Sequence, residues 1–280
     1  MKNITKVMIP NRGEIACRIL RTLNRMGIPG VIVYHPVDDD SPAVQMALEK
    51  VQIHGDTPVS AYLDVDQIID ACKKTGADAV HPGFGFLAEN AGFARRLEKE
   101  GITFIGPLPD AIEMMGDKVA ARGFCLDHKF PLAPSVTEEE AGSGFIRAIE
   151  EMGTPVLIKA SAGGGGKGMH IVENLWDLEQ AVQLAKGEAK RAFGNDQVYA
   201  ERYVKRSRHI EVQVMADHHG NVIHLGEREC SIQRRFQKII EESPAPALSP
   251  ELRRKICETA VEITRKAKYR NAGTVEFILA

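Results

Sequence analysis

A glycine-rich stretch near the middle of the chain has the residue types that could bind phosphate. It begins at Lys159, ends at Lys167 and lies between two stretches that favour β-strands. Its central residues are Gly163, Gly164, Gly165 and Gly166. Glycine leaves backbone N–H groups open to an anion because no Cβ blocks their approach, and the lysines add positive charge. Gly168 follows Lys167 where a Walker A loop needs Ser or Thr, so the stretch predicts another kind of phosphate loop or, alternatively, a flexible hairpin tip.

A second polar segment runs from Glu227 to Lys238 and is followed by the acidic pair Glu241 and Glu242. Its Arg and Lys side chains could bind phosphate or a small anion, and its Gln side chains could add neutral hydrogen bonds. A solvated charged face is an equally good interpretation. Cys230 lies within the segment and raises the hypothesis of a nucleophile, although a lone cysteine is more often a small buried residue.

An acidic residue near the end of the chain could bind a cation. Glu276 alternates with the apolar residues Val275 and Phe277 on a predicted strand. Mg²⁺ prefers oxygen ligands and often takes one or two carboxylates together with substrate phosphates. A single acidic residue is equally compatible with an outward-facing position on a half-solvated strand.

One motif in the first part of the chain is ambiguous. Residues 83–88 match the pattern G-x-G-x-x-A after a predicted strand, which is typical of a dinucleotide-binding turn. The ribose-binding acid expected at the end of the next strand is missing, because Gly106 and Pro107 follow that strand. A tight turn into a helix therefore explains the motif at least as well.

The composition is that of an ordinary globular protein. The 280 residues are 44% hydrophobic and 26% charged, and 36 basic against 38 acidic side chains give a net charge of -2. This balance argues against disorder, against coiled coils and against a general electrostatic attraction to nucleic acid or an anionic membrane. Five widely spaced cysteines without a C-x-x-C pair, and no apolar segment long enough for a signal peptide or a membrane span, predict free thiols and a cytoplasmic location.

The elements that must position these residues follow two different patterns. In the first ~110 residues, short apolar strands such as Gly30–Tyr34 alternate with amphipathic helices such as 65–75, which predicts βαβ units in a doubly wound parallel sheet. After Pro107, residues 111–128 favour a helix, and strands 155–159 and 170–172 flank the glycine stretch. Strands 210–216 and 221–225, a helix 250–268 and a strand 273–279 predict an α+β second part.

Several stretches together resemble one family, the biotin carboxylases of the ATP-grasp superfamily. They occur in the order expected for that family and cover essentially the whole chain. The stretches are 11–16, 81–87, 115–118, the glycine stretch from Lys159, 208–213, 230–238 with its continuation 241–246, and 273–277. The sequence resembles the amino-terminal portion of the biotin carboxylase component of acetyl-CoA, acyl-CoA or pyruvate carboxylases.

The resemblance implies a fold and a set of site residues. It implies a pre-ATP-grasp domain over residues 1–112 and an incomplete ATP-grasp domain over residues 113–280, with a glycine-rich lid at about 131–203. Lys118 and Lys159 match lysines that contact ATP phosphates, and the glycines match the loop that covers them. The other matched positions are Glu201 and Val204 at the adenine hinge, His209 and Gln233 as nucleotide contacts, Lys238 beside bicarbonate and the γ-phosphate, and Glu276 as the first magnesium ligand.

The resemblance also implies the reaction and its partners. In the family, ATP with Mg²⁺ or Mn²⁺ phosphorylates bicarbonate to carboxyphosphate, which gives CO₂ and a phosphate that deprotonates biotin before its carboxylation. The biotin is held by a carrier protein or domain, a carboxyltransferase component takes the carboxyl group onward, and the full-length protein forms a homodimer. Phosphoryl transfer depends on positioning and charge neutralisation, which agrees with a site built from lysines, backbone amides and a metal.

This sequence departs from the family pattern in two ways. Phe236 stands where the family usually has histidine, and a phenylalanine cannot hydrogen-bond. The 280 residues also hold no second metal-binding glutamate, no E-x-N segment, no glutamate that activates bicarbonate and no enolate-stabilising arginine. We therefore expect an ATP-dependent ligase for the parent protein and low activity for these residues alone. The alternative is a non-catalytic nucleotide-binding or partner-binding module.

Overall fold

The computed structural model describes residues 3–161, 168–234 and 237–280 of the chain. Two units separate within it, Met1–Glu113 and Met114–Ala280. In the described part of the chain no helix combines the length and the apolar character needed to cross a membrane.

The first unit is a five-stranded parallel sheet with the strand order β3-β2-β1-β4-β5. Its elements are β1 (Val7–Ile9), α1 (Gly13–Met26), β2 (Gly30–Tyr34), α2 (Pro42–Met46), β3 (Glu49–Gln52), α3 (Pro58–Tyr62), α4 (Val65–Thr75), β4 (Ala79–Val80), α5 (Ala91–Lys99), β5 (Thr103–Phe104) and α6 (Pro109–Gly116), the last of which crosses the unit boundary. The doubly wound parallel sheet predicted from the sequence is confirmed.

Side chains that alternate along β1 fill two separate cores. Met8 packs with residues of α4 and α5, whereas Val7 and Ile9 pack with residues of α1. Successive side chains of a strand point to opposite faces, so helices must cover both faces of this sheet. This explains why the strands β1, β2 and β4 are almost wholly apolar, whereas the edge strand β3 is mostly polar.

The ambiguous G-x-G-x-x-A motif forms a packed turn between β4 and α5. Gly83 and Gly85 both have positive φ, at +69° and +66°. The Asn11 side chain donates hydrogen bonds to the carbonyls of Pro82 and Phe84, both at 2.8 Å. A Cβ on Gly83 would lie 2.8 Å from the Asn11 amide nitrogen, so packing requires glycine here without any dinucleotide.

The second unit contains two four-stranded sheets, β6-β9-β7-β8 and β12-β11-β10-β13. Its elements are α7 (Lys118–Asp127), β6 (Ser135–Thr137), α8 (Glu138–Ala141), α9 (Phe145–Met152), β7 (Val156–Ala160), β8 (Met169–Val172), α10 (Leu178–Phe193), β9 (Val198–Arg202), β10 (Arg208–Ala216), β11 (Val222–Arg234), β12 (Gln237–Glu242), α11 (Pro250–Lys266) and β13 (Asn271–Leu279). The predicted α+β character is confirmed.

Each sheet of the second unit buries one face against helices. Val156, Ile158 and Ala200 of the first sheet pack with residues of α9 and α10. Ile210 and Val212 of the second sheet pack with residues of α11. Because strand side chains alternate, the polar residues between these positions lie on the opposite faces.

Candidate functional site

The polar face of the first sheet holds a buried ion pair. Lys159 of β7 lies directly opposite Tyr199 of β9, and Leu157 lies opposite Glu201, so Lys159 and Glu201 are diagonal neighbours. The Lys159 Nζ is 2.6 Å from Glu201 Oε1 and 5.9 Å from the centre of the Tyr199 ring. The side chains of Lys159 and Glu201 are only 17% and 11% exposed. Burial and the neighbouring Glu201 charge raise the pKa of Tyr199 above its ordinary value.

A second lysine lies close to this pair. The helix predicted for residues 111–128 is in fact two helices, because the Asp117 side chain caps α7 by accepting from the N–H groups of Val119 and Ala120 at 2.8 and 2.9 Å. Lys118, the first residue of α7, donates its backbone N–H to Ser161 O at 3.3 Å. Burial lowers the pKa of Lys118, and the positive charge of Lys159 lowers it further. Two lysines whose charges repel in a half-buried space form a site that an anion would stabilise.

The glycines Gly163, Gly164, Gly165 and Gly166, like Phe236, lie outside the described residues, so their predicted roles stay predictions. Both flanks of the glycine stretch are anchored. Ser161 donates its backbone N–H to Gln197 O at 3.0 Å, and Gly168 donates its N–H to Glu188 Oε2 at 3.1 Å. His170 Nε2 contacts the same Glu188 oxygen at 3.2 Å.

The second sheet places Lys238 between two carboxylates. Glu211 of β10 and Glu276 of β13 are directly opposite each other, a pairing that is unfavourable for like charges. The Lys238 ammonium of β12 donates to Glu211 and, at 2.5 Å, to Glu276 Oε1. Arg228 of β11 also donates to Glu211, with its Nε 2.6 Å from Oε1. The two cations therefore compensate the paired carboxylates.

Protonation in this cluster follows from its contacts. Burial acts to lower the pKa of Lys238, but the hydrogen bonds to Glu211 and Glu276 outweigh burial and raise it. Burial acts to raise the pKa of Glu211, but the hydrogen bonds from Lys238 and Arg228 outweigh burial and lower it. Both groups are thus held in their charged forms at neutral pH.

His209 of β10 connects the two clusters. Burial lowers its pKa, and the charges that act on the imidazole include Glu276 and Lys238 of the second sheet and Lys159 of the first. His209 therefore lies within electrostatic range of both clusters. Its backbone N–H donates to Ser231 Oγ at 3.1 Å.

The remaining predicted residues contribute in different ways. Gln233 lies on β11 and donates its side-chain amide to Cys230 O at 2.9 Å. Val204 is half-buried in the segment between β9 and β10. The structure brings together Lys118, Lys159 and Glu201, and separately Lys238 and Glu276. It does not join Val204 or Gln233 to either cluster by a hydrogen bond or ion pair within the described residues.

The residues present fit a divalent cation at the second cluster. The Glu276 side chain is 57% exposed, and carboxylate oxygen is the ligand type that Mg²⁺ and Mn²⁺ prefer. Among the described residues, a different group brings its potential ligand atoms within 4.8 Å of one another. This group is Glu211, Cys230 and Glu241. Both Glu211 oxygens already accept hydrogen bonds from Arg228 or Lys238, and burial raises the pKa of the Cys230 thiol to about 11. Glu276 is therefore the better ligand.

The sequence did not predict the individual contacts of three residues. Glu211 accepts a hydrogen bond from Lys238, Arg228 donates to Glu211, and the Tyr199 ring lies beside Lys159. Glu211 had one available signal, since it is an acidic residue inside a predicted apolar strand and inside the motif 208–213. Arg228 lies in the polar segment 227–238, whose arginines and lysines the sequence marks as candidates to bind an anion, but only the pairing of strands brings it beside Glu211. Tyr199 had no such signal, because only strand pairing brings it beside Lys159.

Two protein families match the chain in succession. The family described as "Biotin carboxylase, N-terminal domain" matches residues 3–112, and the one described as "Carbamoyl-phosphate synthase L chain, ATP binding domain" matches residues 117–280. Methylcrotonoyl-CoA carboxylase subunit alpha of Dictyostelium discoideum is 49% identical over 281 residues, covering 100% of the chain and 40% of the relative. Biotin carboxylase 2 of Bacillus subtilis is 48% identical over 277 residues, covering 98% of the chain and 62% of the relative.

Solved structures agree with the sequence relatives. The Campylobacter jejuni biotin carboxylase in complex with β,γ-ATP superposes with a TM-score of 0.95 at 43% identity, covering 99% of this chain and 62% of that one. The biotin carboxylase domain dimer of Hydrogenobacter thermophilus 2-oxoglutarate carboxylase, solved with MgADP, ADP and bicarbonate, gives a TM-score of 0.93 at 43% identity, covering 99% and 61%. The chain thus spans less than two thirds of each of these relatives. On sequence and fold together, the chain belongs to the biotin carboxylase family.

Proposed function

We propose that this chain provides the nucleotide-binding part of an enzyme that carboxylates biotin with ATP and bicarbonate, within an acyl-CoA or pyruvate carboxylase. One observation carries the proposal: the second unit holds Lys159 in a largely buried site on one sheet, and it holds Lys238 2.5 Å from the exposed carboxylate of Glu276 on the other. Two lysines near an anchored glycine stretch suit a polyphosphate. A third lysine and an exposed carboxylate nearby suit a reacting anion and its cation.

Each residue has a role in this proposal. Lys118 and Lys159 bind the ATP phosphates together with the glycine stretch, and Glu201 and Val204 contact the adenine, with His209 and Gln233 completing the nucleotide site. Lys238 donates hydrogen bonds to bicarbonate and the γ-phosphate and so holds them in line for transfer. Glu276 would hold Mg²⁺ or Mn²⁺, which neutralises phosphate charge when bound.

The reaction then needs little covalent chemistry from the protein. A bicarbonate oxygen attacks the γ-phosphorus, ADP leaves, and carboxyphosphate forms. Carboxyphosphate gives CO₂ and phosphate, the phosphate takes the ureido N–H proton of biotin, and the nitrogen attacks CO₂. The contribution of these residues is to orient the anions and to compensate their charge.

The domain boundaries belong to the same proposal. We place a pre-ATP-grasp domain at residues 1–112 and an ATP-grasp domain at 113–280, with a lid at about 131–203. The units Met1–Glu113 and Met114–Ala280 support this division, as do the family matches to 3–112 and 117–280. The β6-β9-β7-β8 sheet, which runs from Ser135 to Arg202, supports the lid.

The proposed partners are those of a biotin-dependent carboxylase. They are bicarbonate, biotin on a carrier protein or domain, and a carboxyltransferase component, with homodimer formation by the full-length protein. The bicarbonate and the dimer of the Hydrogenobacter structure support two of these. For the location we propose the cytoplasm, where free thiols such as the five cysteines of this chain persist.

Nucleotide binding tests the proposal. We expect the 280-residue chain to bind ADP in isothermal titration calorimetry, and Lys159→Ala to weaken binding by about 10- to 100-fold, the value of one or two charged hydrogen bonds. Lys205→Ala is the matched control, because Lys205 lies in the same unit and pairs with Glu173 on the exposed surface. ADP affinity that Lys159→Ala leaves unchanged would refute the assignment and favour a partner-binding module.

A further inference from the structure

Lys159 is one of the two lysines that the proposed function assigns to phosphate, and it already forms an ion pair with Glu201. The Lys159 ammonium lies 2.6 Å from the Glu201 carboxylate, and both side chains are largely buried. The negative charge of Glu201 also acts on the neighbouring Tyr199 hydroxyl, whose pKa it helps to raise after burial. A phosphate that contacts Lys159 must therefore compete with a carboxylate that is already in place.

The surroundings of the pair make this competition strong. The other face of the sheet belongs to the apolar core, which includes Val156, Ile158 and Ala200. Water therefore cannot reach the charges of Lys159 and Glu201 from that side. The Tyr199 ring lies 5.9 Å from the Lys159 ammonium and covers it further. In a partly desolvated site, removing one member of an ion pair leaves the other charge uncompensated, which is costly.

We propose that the Glu201 side chain acts as an internal anion that compensates Lys159 before nucleotide binds and thereby selects for ligands of high negative charge. The inference rests on the proposed function and adds a role beyond the adenine contact given to Glu201 above. A single weakly charged anion gains little by displacing Glu201. A diphosphate or triphosphate can displace it because the same ligand also reaches Lys118, whose charge is close to that of Lys159.

Replacing Glu201 by Gln separates this role from adenine binding. Glu201→Gln keeps the size and the backbone of the residue but leaves Lys159 without its carboxylate. We expect the unliganded variant to melt at a lower temperature than the wild type and to bind ADP about ten-fold more tightly, because phosphate then supplies the missing charge. Adenosine, which has no phosphate, reports any change at the adenine contact alone, so the ratio of ADP affinity to adenosine affinity should rise about ten-fold in the variant.

Two matched variants complete the experiment. Glu173→Gln removes one negative charge from an exposed pair in the same unit and should leave ADP affinity unchanged. Tyr199→Phe removes the hydroxyl on which the Glu201 charge acts and keeps the ring beside Lys159. It should raise ADP affinity by a smaller factor, which keeps the test valid if Glu201→Gln does not fold.

Calorimetry with ADP and adenosine on these variants and on Lys159→Ala distinguishes the outcomes. Unchanged or weaker ADP binding by Glu201→Gln and Tyr199→Phe, while Lys159→Ala binds weakly, would overturn the inference and leave the proposed function intact. Equal changes for ADP and adenosine would also overturn it, because Glu201 would then act at the adenine alone and not on the phosphates. If Lys159→Ala binds ADP as tightly as the wild type does, the proposed function itself is refuted.

Discussion

Lys238 shows how one residue can serve both folding and chemistry. Its ammonium compensates two carboxylates that the strand register places directly opposite each other, Glu211 and Glu276. Without a cation the two acids would repel across adjacent strands. The residue assigned to bicarbonate and phosphate is therefore also part of what allows this face of the sheet to form.

We predict that Lys238→Met lowers the free energy of unfolding by about 1–3 kcal/mol at pH 7, because buried Glu211 then keeps Arg228 as its only described cationic partner. Lys238 depresses the pKa of Glu211, so its stabilisation is present above the unfolded carboxyl pKa of about 4.3 and is lost as pH falls. Urea denaturation should thus show wild type and variant converging below about pH 4. Lys205→Met, which breaks an exposed pair with Glu173, should cost less than about 0.5 kcal/mol at any pH.

The cysteines give a second prediction at this scale. Cys17, Cys72, Cys230 and Cys257 are buried, whereas Cys125 is partly exposed. Burial raises the pKa of Cys230 to about 11, which makes its thiolate scarce at neutral pH. Mass spectrometry should find that iodoacetamide modifies Cys125 first in the native protein and all five cysteines in urea. Early modification of Cys230 would revive the hypothesis that it is a nucleophile.

At the scale of elements, apolar strands and amphipathic helices were predictable and charged strands were not. Strand Gly30–Tyr34 matches its prediction because it is apolar on both faces and buried along its first four residues. Strand β11 was predicted to end at Leu225, but it continues to Arg234 and pairs with β12. Its charged side chains pair with opposite charges, Glu227 with Arg253 and Arg228 with Glu211. A run of charged residues carries no hydrophobic period, so the sequence predicted no strand here and left anion binding and a solvated face as equal interpretations.

The contact between β11 and α11 depends on one of these charges. Glu227 is 2% exposed, and its carboxylate accepts from Arg253 Nε at 2.7 Å and from Ala245 N at 3.1 Å. We predict that Arg253→Met destabilises the protein by about 3–5 kcal/mol, because it leaves a buried carboxylate without its cation. Thermal and urea unfolding measure this loss.

The neighbouring arginine offers a matched control for that prediction. Arg254 lies 4.0 Å from Glu258, and both side chains are mostly exposed, so Arg254→Met should cost less than about 0.5 kcal/mol. Adding Glu227→Gln to Arg253→Met should recover part of the lost stability. Equal losses for the two arginine variants would mean that the buried pair does not join β11 to α11.

At the scale of the whole molecule, each unit has its own core. The first unit buries Val7 and Ile9 on one face of its sheet and Met8 on the other. A domain of about 100 residues with both sheet faces covered is large enough to fold alone. We predict that residues 1–113, expressed alone, unfold in one cooperative urea transition followed by circular dichroism. A gradual, non-cooperative loss of signal would show that this unit needs the rest of the chain.

The last prediction concerns catalysis by these 280 residues. Binding and turnover should need different parts of the family sequence, because the lysines proposed to contact phosphate are present here. The second metal glutamate and the glutamate that the resemblance assigns to bicarbonate activation are not among these residues. We therefore expect the chain to bind ADP but to turn over slowly. With bicarbonate and free biotin, it should release phosphate from ATP at less than about a hundredth of the rate of a full-length relative. Losing one group that stabilises transition-state charge already lowers the rate that much. Phosphate release measured for both proteins side by side tests this, with ADP calorimetry as the control for folding. Turnover near that of the relative would mean that residues present here, Lys238 and Glu276 foremost, suffice for bicarbonate activation.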